Sequence, residues 1–412
     1  MGRENVAGAL AGIRVLDLSR VLAGPWAGQI LADLGADVIK VERPGAGDDT
    51  RGWGPPFLKD KDGNPTRESA YYLCANRGKR SLALDITRPE GQEIVRRLAA
   101  RSDVVLENFK TGGLAKYGLD YESLRTINPR LIYCSITGFG QTGPNAGRPG
   151  YDFLIQGMAG LMSVTGTPES GPTKVGVAVT DLTTGLYSVI AILAALQARH
   201  RTGEGQHIDM ALFDVQLGWM ANQATNYLVG GIVPGLMGNA HPNIVPYQDF
   251  PTQDGRIIVA VGNDEQFRRF AAILGRREWG QDERFADNRA RVANRAELVA
   301  LIEAELRRAP SAHWLAALDK AGIPCGAVQS VAQAFESEQA RARGLTVALK
   351  HPLAGTVKTV ANPIKLSGTP IEYGSAPPMV GQHSRAVLTE LGLGEDDIRA
   401  LAEAGVVGGV EG

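Results

Sequence analysis

Asp181 is the carboxylate whose surroundings most suggest chemistry. Residues 175–180 before it form an apolar run, and residues 182–187 after it begin an apolar helical pattern. An aspartate at the start of a helix often accepts hydrogen bonds from backbone N–H groups and caps the helix. The same groups, with the helix dipole, can keep a carboxylate ionised in a dry pocket, where it is a usable nucleophile. The residues alone leave both interpretations open.

A glycine-rich loop over residues 42–54 is the second candidate. It follows a predicted strand, and ligands of open α/β sheets bind at the carboxyl ends of strands. Arg43 and Arg51 in this loop, close to Trp53, could hold a phosphate or carboxylate bidentately. A solvated loop with surface arginines fits the same residues equally well.

Other chemistries lack their signatures. The turn over residues 20–25 has no Gly-x-Gly-x-x-Gly fingerprint, which counts against ordinary NAD binding, although a helix start there could receive an anion. There is no Gly-x-Ser-x-Gly elbow, and the six histidines are dispersed. The three cysteines are too few and too scattered for a disulfide framework or a zinc site. We therefore predict no metal site.

The elements that must position these residues alternate between strand and helix. An apolar run over residues 13–18, a helical pattern over 23–34 and a strand over 37–42 form a β-α-β unit, which requires a parallel sheet. The rhythm continues, and we predict an α/β fold. The further predicted elements are helices over 89–98, 121–127, from 152, 181–199 and 213–228 and strands over 103–106, 131–135 and 207–211.

A Gly/Pro-containing break over residues 230–238 predicts a change of domain. We predict a first domain over residues 1–229 and a smaller one over 230–331, with a strand at 257–261 and helices rich in Arg and Glu. Residues 332–412 are expected to return to the first domain, with β structure over 351–367 and helical structure over 382–404.

Composition is that of a globular protein of 412 residues, 44% hydrophobic and 21% charged. Lys and Arg number 43 against 44 Asp and Glu, so bulk charge does not support nucleic-acid binding. Residues 1–11 lack the apolar core of a signal segment, and no run approaches ~18 apolar residues. We expect a cytoplasmic protein that needs neither nucleic acid nor membrane.

The motifs become specific when they are read in order. The chain resembles the class III CoA-transferases, the family of formyl-CoA transferase and the carnitine CoA-transferases. The resemblance implies a Rossmann-like large domain built from both chain ends, a smaller central domain and an intertwined homodimer. It also implies acyl-CoA and carboxylic acid substrates, with no tightly bound cofactor. The motifs lie at residues 15–25, 35–43, 107–109, 137–144, 181, 203–209, 241–247 and 381–383.

The resemblance assigns roles residue by residue. It makes Asp181 the nucleophile that attacks an acyl-CoA thioester, and it makes the loops over 138–140 and 238–239 candidate oxyanion donors. The implied CoA-binding residues are Val21, Leu22, Ala23, Arg43, Leu84, Asp85, Thr87, Asn108, Phe109, Lys116, Thr137, Gly138 and Phe139. The implied substrate-binding residues are Arg20, Tyr151, Gly238, Asn239 and His241.

Departures from the family pattern narrow the range of expected substrates. Leu22 replaces a glutamine of formyl-CoA transferase, and Lys116 replaces an arginine. The resemblance is greatest to the succinyl-CoA–glutarate CoA-transferases, so we expect a dicarboxylate whose distal carboxylate is bound by Arg20. Two alternatives stay open. A 2-methylacyl-CoA racemase is disfavoured because Tyr151, with a pKa of ~10, replaces the catalytic His. The other is a CoA-ester-binding protein without turnover.

Overall fold

The computed structural model describes residues 8–410, which form two compact units. The first unit comprises residues 8–161, Val175–Thr225 and 339–410, and the second comprises Met162–Lys174 and Asn226–Glu338. The signal-segment prediction falls largely on residues 1–7, outside the described residues. The division into domains predicted over 1–229, 230–331 and 332–412 stays a prediction.

The strands are numbered along the chain. They are β1 Arg14–Asp17, β2 Asp37–Glu42, β3 Phe57–Lys59, β4 Pro65–Ser69, β5 Lys79–Leu84, β6 Val104–Glu107, β7 Ile132–Thr137, β8 Gly166–Thr167, β9 Gly171–Pro172, β10 His207–Ala211, β11 Tyr247–Pro251, β12 Arg256–Ala260, β13 Cys325–Ala327, β14 Thr346–His351, β15 Gly355–Val360 and β16 Val407–Gly408.

The α-helices are numbered in the same way. They are α1 Ala23–Asp33, α2 Ala70–Leu73, α3 Pro89–Ala99, α4 Tyr121–Ile127, α5 Asp152–Met158, α6 Val179–Thr202, α7 Leu212–Trp219, α8 Ala221–Gly230, α9 Asp264–Ile273, α10 Asn288–Ala293, α11 Arg295–Leu306, α12 Ser311–Lys320, α13 Val331–Glu336, α14 Glu338–Ala342, α15 Ser384–Glu390 and α16 Glu395–Glu403.

A seven-stranded sheet organises the first unit. Its order is β10-β7-β6-β1-β2-β5-β16, and every neighbouring pair is parallel except β16 with β5. The central strands read as near-continuous apolar runs because helices cover both faces. One core packs Leu16 and Ile39 against α3, and another packs Val15 and Val38 against α1 and α6. The predicted α/β fold with its parallel sheet is therefore confirmed.

Strand order reverses direction at β1, which fixes where a ligand can enter. From β1 the chain adds β2 and β5 on one side and later β6, β7 and β10 on the other. In open α/β sheets the crevice beyond the strand ends at such a switch point is the usual ligand site. The loops after β1 and β6, at residues 18–22 and 108–114, border that crevice.

Buried charges lie beneath the same strand ends. Lys79 donates to Asp17 at 2.9 Å, and Lys40 contacts Asp48 at 2.9 Å, with all four side chains fully buried. Burial opposes ionisation of Asp17, but Lys79 and then Lys40 outweigh it and hold the pKa of Asp17 below its usual value. These ion pairs tie the loops at the crevice to the sheet.

The second unit has its own core. Strands β11, β12 and β13 form an antiparallel sheet, and α9, α11 and α12 cover it with apolar side chains such as Phe267, Ile302 and Trp314. Arg291 is fully buried there and donates to the carbonyls of Val245 and Phe285.

Three sequence predictions need correction. The helix predicted over 213–228 is two helices, because Ala221 has a φ of 43° and α8 buries no residue that would hold it in line with α7. The β structure predicted over 351–367 instead begins at Thr346 and ends at Val360. The sequence analysis also missed β5, in which three consecutive polar residues, Lys, Arg and Ser, begin a strand that is mostly buried.

Candidate active site

The loops after β1 and β6 are joined at the crevice by a reciprocal pair of hydrogen bonds. The backbone N–H of Arg20 donates to Asn108 Oδ1 at 2.9 Å, and Asn108 Nδ2 donates to the Arg20 carbonyl at 2.7 Å. The Arg20 guanidinium lies over the Phe109 ring, 5.3 Å from its centroid. An asparagine amide that satisfies both backbone groups of one residue fixes the two loops against each other.

Val21 lies between these contacts and the start of α1 in a conformation that β-branched residues rarely adopt. Its φ is 72°, in the left-handed region. Its N–H donates to Asp48 Oδ1 at 3.3 Å, and the same oxygen accepts from Thr50. The buried Lys40 donates to the Ser19 carbonyl at 2.8 Å. Strain at a non-glycine residue persists only where the surroundings impose it, as this buried network does.

Asp181 is the third residue of α6, and its own helix start is capped by a different acid. Asp152 Oδ1 accepts from the Thr180 N–H at 2.8 Å and from the Asp181 N–H at 3.3 Å. Gln156 Nε2 holds the other oxygen of Asp152 at 2.7 Å. The capping interpretation of Asp181 is therefore wrong, because Asp152 takes the N–H groups and leaves the Asp181 carboxylate free of that role.

Close packing of α6 on α1 brings Asp181 to the crevice. Gly185, one turn after Asp181, lies so near α1 that a Cβ there would meet the Ala23 carbonyl at 2.7 Å. Across the cavity, a Cβ on Gly138 would meet the Gly150 Cα at 2.5 Å. Glycine is required at both positions, because a side chain would push apart two backbone segments that form walls of the cavity.

Asp181 lines a cavity of about 210 Å³ in the first unit. Many residues that the sequence singled out meet there, although they are far apart in the chain. The predicted residues that line it are Arg20, Val21, Leu22, Ala23, Asn108, Phe109, Thr137, Gly138, Tyr151 and Asp181.

The electrostatics of Asp181 differ from the expectation. Burial, followed by the nearby charge of Asp152, raises the pKa of Asp181 to about 7. No Lys, Arg or His within residues 8–410 forms an ion pair with it. The interpretation in which N–H groups and the helix dipole keep it ionised, left open by the sequence, is therefore not supported. Its ionised form is therefore poorly stabilised near neutral pH.

Tyr71 and Asp152 are near Asp181 and were missed by the sequence analysis as site residues. Burial and then the charge of Asp181 raise the pKa of Tyr71 to about 12, and the Tyr71 ring packs edge-on against Trp53 at 5.1 Å. The only sequence signal for Asp152 was its place beside Tyr151. Tyr71 belongs to a short helix, α2, that no local pattern connects to α6.

A second, smaller cavity adjoins the first through Arg20 and Phe109. It has a volume of about 40 Å³, and Arg43 and Leu84 also line it. The Arg43 side chain is 58% exposed and shares Asp49 with Arg20, with contacts of 2.6 and 3.2 Å. Two guanidinium groups thus share the Asp49 carboxylate where the two cavities meet.

Arg51 is not available to a ligand. It is buried, and its guanidinium is bound by Glu42 at 2.8 Å, by Glu68 at 2.6 Å and by the Pro378 carbonyl at 2.9 Å. The interpretation of Arg51 as a phosphate ligand is wrong for this reason. Its fork instead fastens the glycine-rich loop to the sheet.

Several predicted CoA-binding residues lie outside the residues that line these two cavities. Asp85 accepts from the N–H and hydroxyl of Thr87, which closes a local turn after β5. The Lys116 ammonium lies 4.6 Å from the centroid of the Tyr117 ring. Phe139 packs against Phe213 at 5.9 Å. Their roles in CoA binding stay predictions.

The remaining predicted substrate residues belong to the second unit. The Gly238 N–H donates to the Gly166 carbonyl at 2.8 Å, so it is not free to serve as the oxyanion donor predicted for it. Asn239 Nδ2 donates to Asp249 at 2.9 Å, and His241 Nδ1 accepts from the Asn243 N–H at 3.1 Å. In the first unit the Gly140 N–H is likewise engaged, by the Thr137 hydroxyl at 2.9 Å.

Comparison with known proteins decides which chemistry this arrangement serves. The model of CoA-transferase family III matches residues 10–384. The chain belongs to CoA-transferase family III. It is therefore an enzyme of a family whose substrates are CoA thioesters.

Its relatives within CoA-transferase family III are similar over almost their full length. The chain is 55% identical over 382 residues to the succinate–glutarate CoA-transferase of Agrobacterium fabrum, with 93% of this chain and 95% of the relative covered. It is 44% identical to the succinyl-CoA:glutarate CoA-transferase of Mus musculus, with 97% and 90% covered. The crystal structure of a CAIB/BAIF family protein from Brucella suis is 54% identical and has a TM-score of 0.82, with 93% and 100% covered.

Proposed function

We propose that this enzyme transfers CoA from succinyl-CoA to a C5 dicarboxylate such as glutarate, with Asp181 as the nucleophile. The observation that carries the proposal is a buried carboxylate without a cationic partner in the described chain, set in a cavity with the predicted CoA-binding residues. Relatives at 55% and 44% identity named for succinate or succinyl-CoA and glutarate support the choice of substrates.

The first half of the proposed reaction transfers CoA to the enzyme. An Asp181 oxygen attacks the thioester carbonyl of succinyl-CoA, the C–S bond breaks, and a mixed anhydride and CoA thiolate form. The thiolate then attacks the aspartyl carbonyl of the anhydride. This step releases succinate and leaves an aspartyl-CoA thioester.

The second half repeats these steps with the acceptor. Its carboxylate attacks the aspartyl thioester, which expels CoA thiolate and forms a second anhydride. The thiolate attacks the acceptor's acyl carbon, giving the new CoA ester and regenerating Asp181. Every intermediate is an activated acyl species, so little free energy is lost. Water must be kept away from the anhydrides, and the burial of Asp181 serves that requirement.

Arg20 is the residue we propose for the distal carboxylate of the acid. It lines the same cavity as Asp181, and its Nε is buried without a hydrogen-bond partner among residues 8–410. Only one of its terminal nitrogens is engaged, by Asp49 at 3.2 Å. A guanidinium with free donors matches a carboxylate.

Arg20→Ala should therefore raise KM for glutarate by about tenfold or more, since charge-assisted hydrogen bonds contribute about 1.5–3 kcal/mol. The KM for a monocarboxylate of similar length should change much less. Steady-state kinetics with both acids measure the difference. Equal increases for the two acids would rule out Arg20 as the residue that binds the distal carboxylate.

The proposed function is tested by a transfer assay. Succinyl-CoA is offered with a panel of mono- and dicarboxylic acids to the wild-type enzyme and to Asp181→Ala, and hydroxylamine traps any acyl-enzyme for mass spectrometry. We expect transfer to C5 dicarboxylates, an adduct on the peptide that contains Asp181, and loss of both in the variant. Transfer confined to monocarboxylates would refute the proposal that the acceptor is a dicarboxylate. Binding of CoA esters without an adduct would refute the mechanism.

We propose a homodimer for the assembly and the cytoplasm for its location. Helix α6 has the length and apolarity of a membrane span, a test that core helices of soluble proteins also pass, and half of its apolar window is buried. Its exposed side carries Leu186, Tyr187, Ile190 and Leu193. A second copy of this chain is the occupant we propose for that apolar stripe. Sedimentation equilibrium should give twice the chain mass.

A further inference from the structure

Glu107 is a buried acid that the proposed reaction does not use. It is the last residue of β6, its exposed fraction is 6%, and no ion pair to it forms within residues 8–410. Its Oε2 accepts from the N–H of Phe109 at 2.8 Å. The acid therefore holds the backbone of the loop that presents Asn108 and Phe109 to the Asp181 cavity.

Two residues on the neighbouring strands, Ser135 and His207, follow Glu107 towards the surface. Ser135 lies directly opposite Glu107 in the parallel register of β6 and β7, and its hydroxyl opposes the rise that burial causes in the pKa of the Glu107 carboxyl. The Ser135 Oγ is also 2.9 Å from Nε2 of His207, on the neighbouring strand β10.

The histidine is itself held in place. Its ring stacks on Tyr121 with centroids 5.0 Å apart and meets Tyr133 edge-on at 5.7 Å. Glu107, Ser135 and His207 line one cavity of about 180 Å³, which shares Lys110 and Thr111 with the Asp181 cavity. Glu107, Ser135 and His207 thus lie on three adjacent strands, behind the loop that borders the Asp181 cavity.

We propose that Glu107, supported by Ser135 and His207, is a positioning residue that sets the Asn108–Phe109 wall of the CoA-ester site. The carboxylate acts through the Phe109 N–H and does not contact the reacting atoms. What the loop needs is a hydrogen-bond acceptor at this position, not a negative charge. The inference about the loop stands on the geometry, and its effect on CoA binding rests on the proposed function.

The hydrogen bond is tested directly by amide hydrogen exchange on the full-length enzyme. Glu107→Ala should raise the exchange rate of the Phe109 amide by about two- to tenfold, because an ordinary hydrogen bond of about 0.5–1.5 kcal/mol is lost. Glu107→Gln should restore protection, since its amide oxygen can accept from the same N–H. Glu122→Gln, an exposed acid on the rim of the same cavity, is the matched control and should leave the rate unchanged.

The functional link is tested by equilibrium binding of CoA and by kinetics with the same variants. Glu107→Ala should weaken CoA binding by about two- to tenfold and raise KM for succinyl-CoA. Glu107→Gln should recover most of the affinity. His207→Asn tests the contribution of His207, which lies at the surface. We expect this variant to lose less CoA affinity than Glu107→Ala.

The outcomes separate this inference from the proposed function. Unchanged Phe109 exchange in Glu107→Ala would overturn the positioning role, whether or not the enzyme binds CoA. Equal loss of CoA affinity in the Ala and Gln variants would also overturn it, because charge would then be the requirement. A wild-type enzyme that fails to bind CoA would refute the proposed function, while the exchange experiment would still decide the role of Glu107.

Discussion

Buried acids occur in two regions of the first unit, and their surroundings are opposite. Beneath the strand ends, Asp17 and Asp48 are paired with lysines, and the lysine charge outweighs burial and lowers both pKa values, that of Asp48 to about 2. At the cavity and behind its wall, Asp181 and Glu107 have no cation partner in the described chain, and burial raises the pKa of each to about 7.

The difference teaches what each region is built for. A buried acid with a bound cation is a structural joint, because removing either partner leaves an uncompensated charge. A buried acid without a cation is a liability for stability, which a fold retains for another reason. For Asp181 we propose that the reason is nucleophilic attack, and for Glu107 that it is the orientation of a loop.

The largest effect on stability is expected where a paired charge is broken. Lys79→Met removes the partner of Asp17 and also two further acceptor contacts, to Pro25 and Asn76. We expect the free energy of unfolding to fall by about 3–5 kcal/mol. Urea denaturation measures it. Arg125→Met, which breaks an exposed pair with Glu122, is the control and should change stability by less than ~1 kcal/mol.

A change of opposite sign is expected at Asp181. Its folded-state pKa lies above the unfolded value, so the stability linked to its proton is present at low pH and is lost as pH rises through about 7. Asp181→Asn should therefore be more stable than the wild type at pH 8, by on the order of 3 kcal/mol. The gain should shrink as pH falls towards 4. Equal stability of the two proteins at pH 8 would contradict the conclusion that Asp181 is a buried acid without a cationic partner.

Asp214→Asn provides the control for that comparison. Asp214 is an exposed acid on α7, and its removal should leave the difference between pH 4 and pH 8 as in the wild type. A similar gain in this control would show that a general charge effect, and not the burial of Asp181, is responsible.

The smallest effect is expected from substitution of Asp152, and it concerns the pH dependence of the rate. Asp152→Asn removes the like charge beside Asp181 but keeps an oxygen that can accept from the α6 N–H groups. The midpoint of the pH–rate profile should fall by roughly half a unit to one unit, and it should stay above 4 because burial is the larger cause. A pH–rate midpoint that does not move would show that Asp152 acts only as a helix cap, and one that rises would contradict the repulsion between the two acids.

Local patterns predicted most of the sheet and its parallel direction. Strand β2 and helix α4 were predicted at their observed bounds because apolar spacing and glycine or proline boundaries agree there. Strand β5 was not predicted, since Lys79 and Ser81 look like surface residues until Asp17 and Glu42 supply their partners. Those partners lie in other strands, and local sequence carries no sign of them.

The candidate site was predicted unevenly for the same reason. The motif resemblance brought Arg20, Asn108 and Asp181 into one hypothesis, and the structure places all three on one cavity. The resemblance could not indicate that Arg51 forms a buried ion pair with Glu42, because that pair depends on a tertiary contact. The raised pKa of Asp181 was also out of reach, since desolvation is a property of the packed structure.

The antiparallel strand β16 gives the sheet an edge that is completed late in synthesis. Its partner β5 ends at Leu84, and β16 begins at Val407, so the ribosome adds roughly 320 residues between them. At about 5–20 residues per second, β5 waits roughly 15–60 s for that neighbour. During this interval its unpaired backbone groups are a template for pairing with another nascent chain. The order in which the strands leave the ribosome therefore sets how long this edge of β5 stays unpaired.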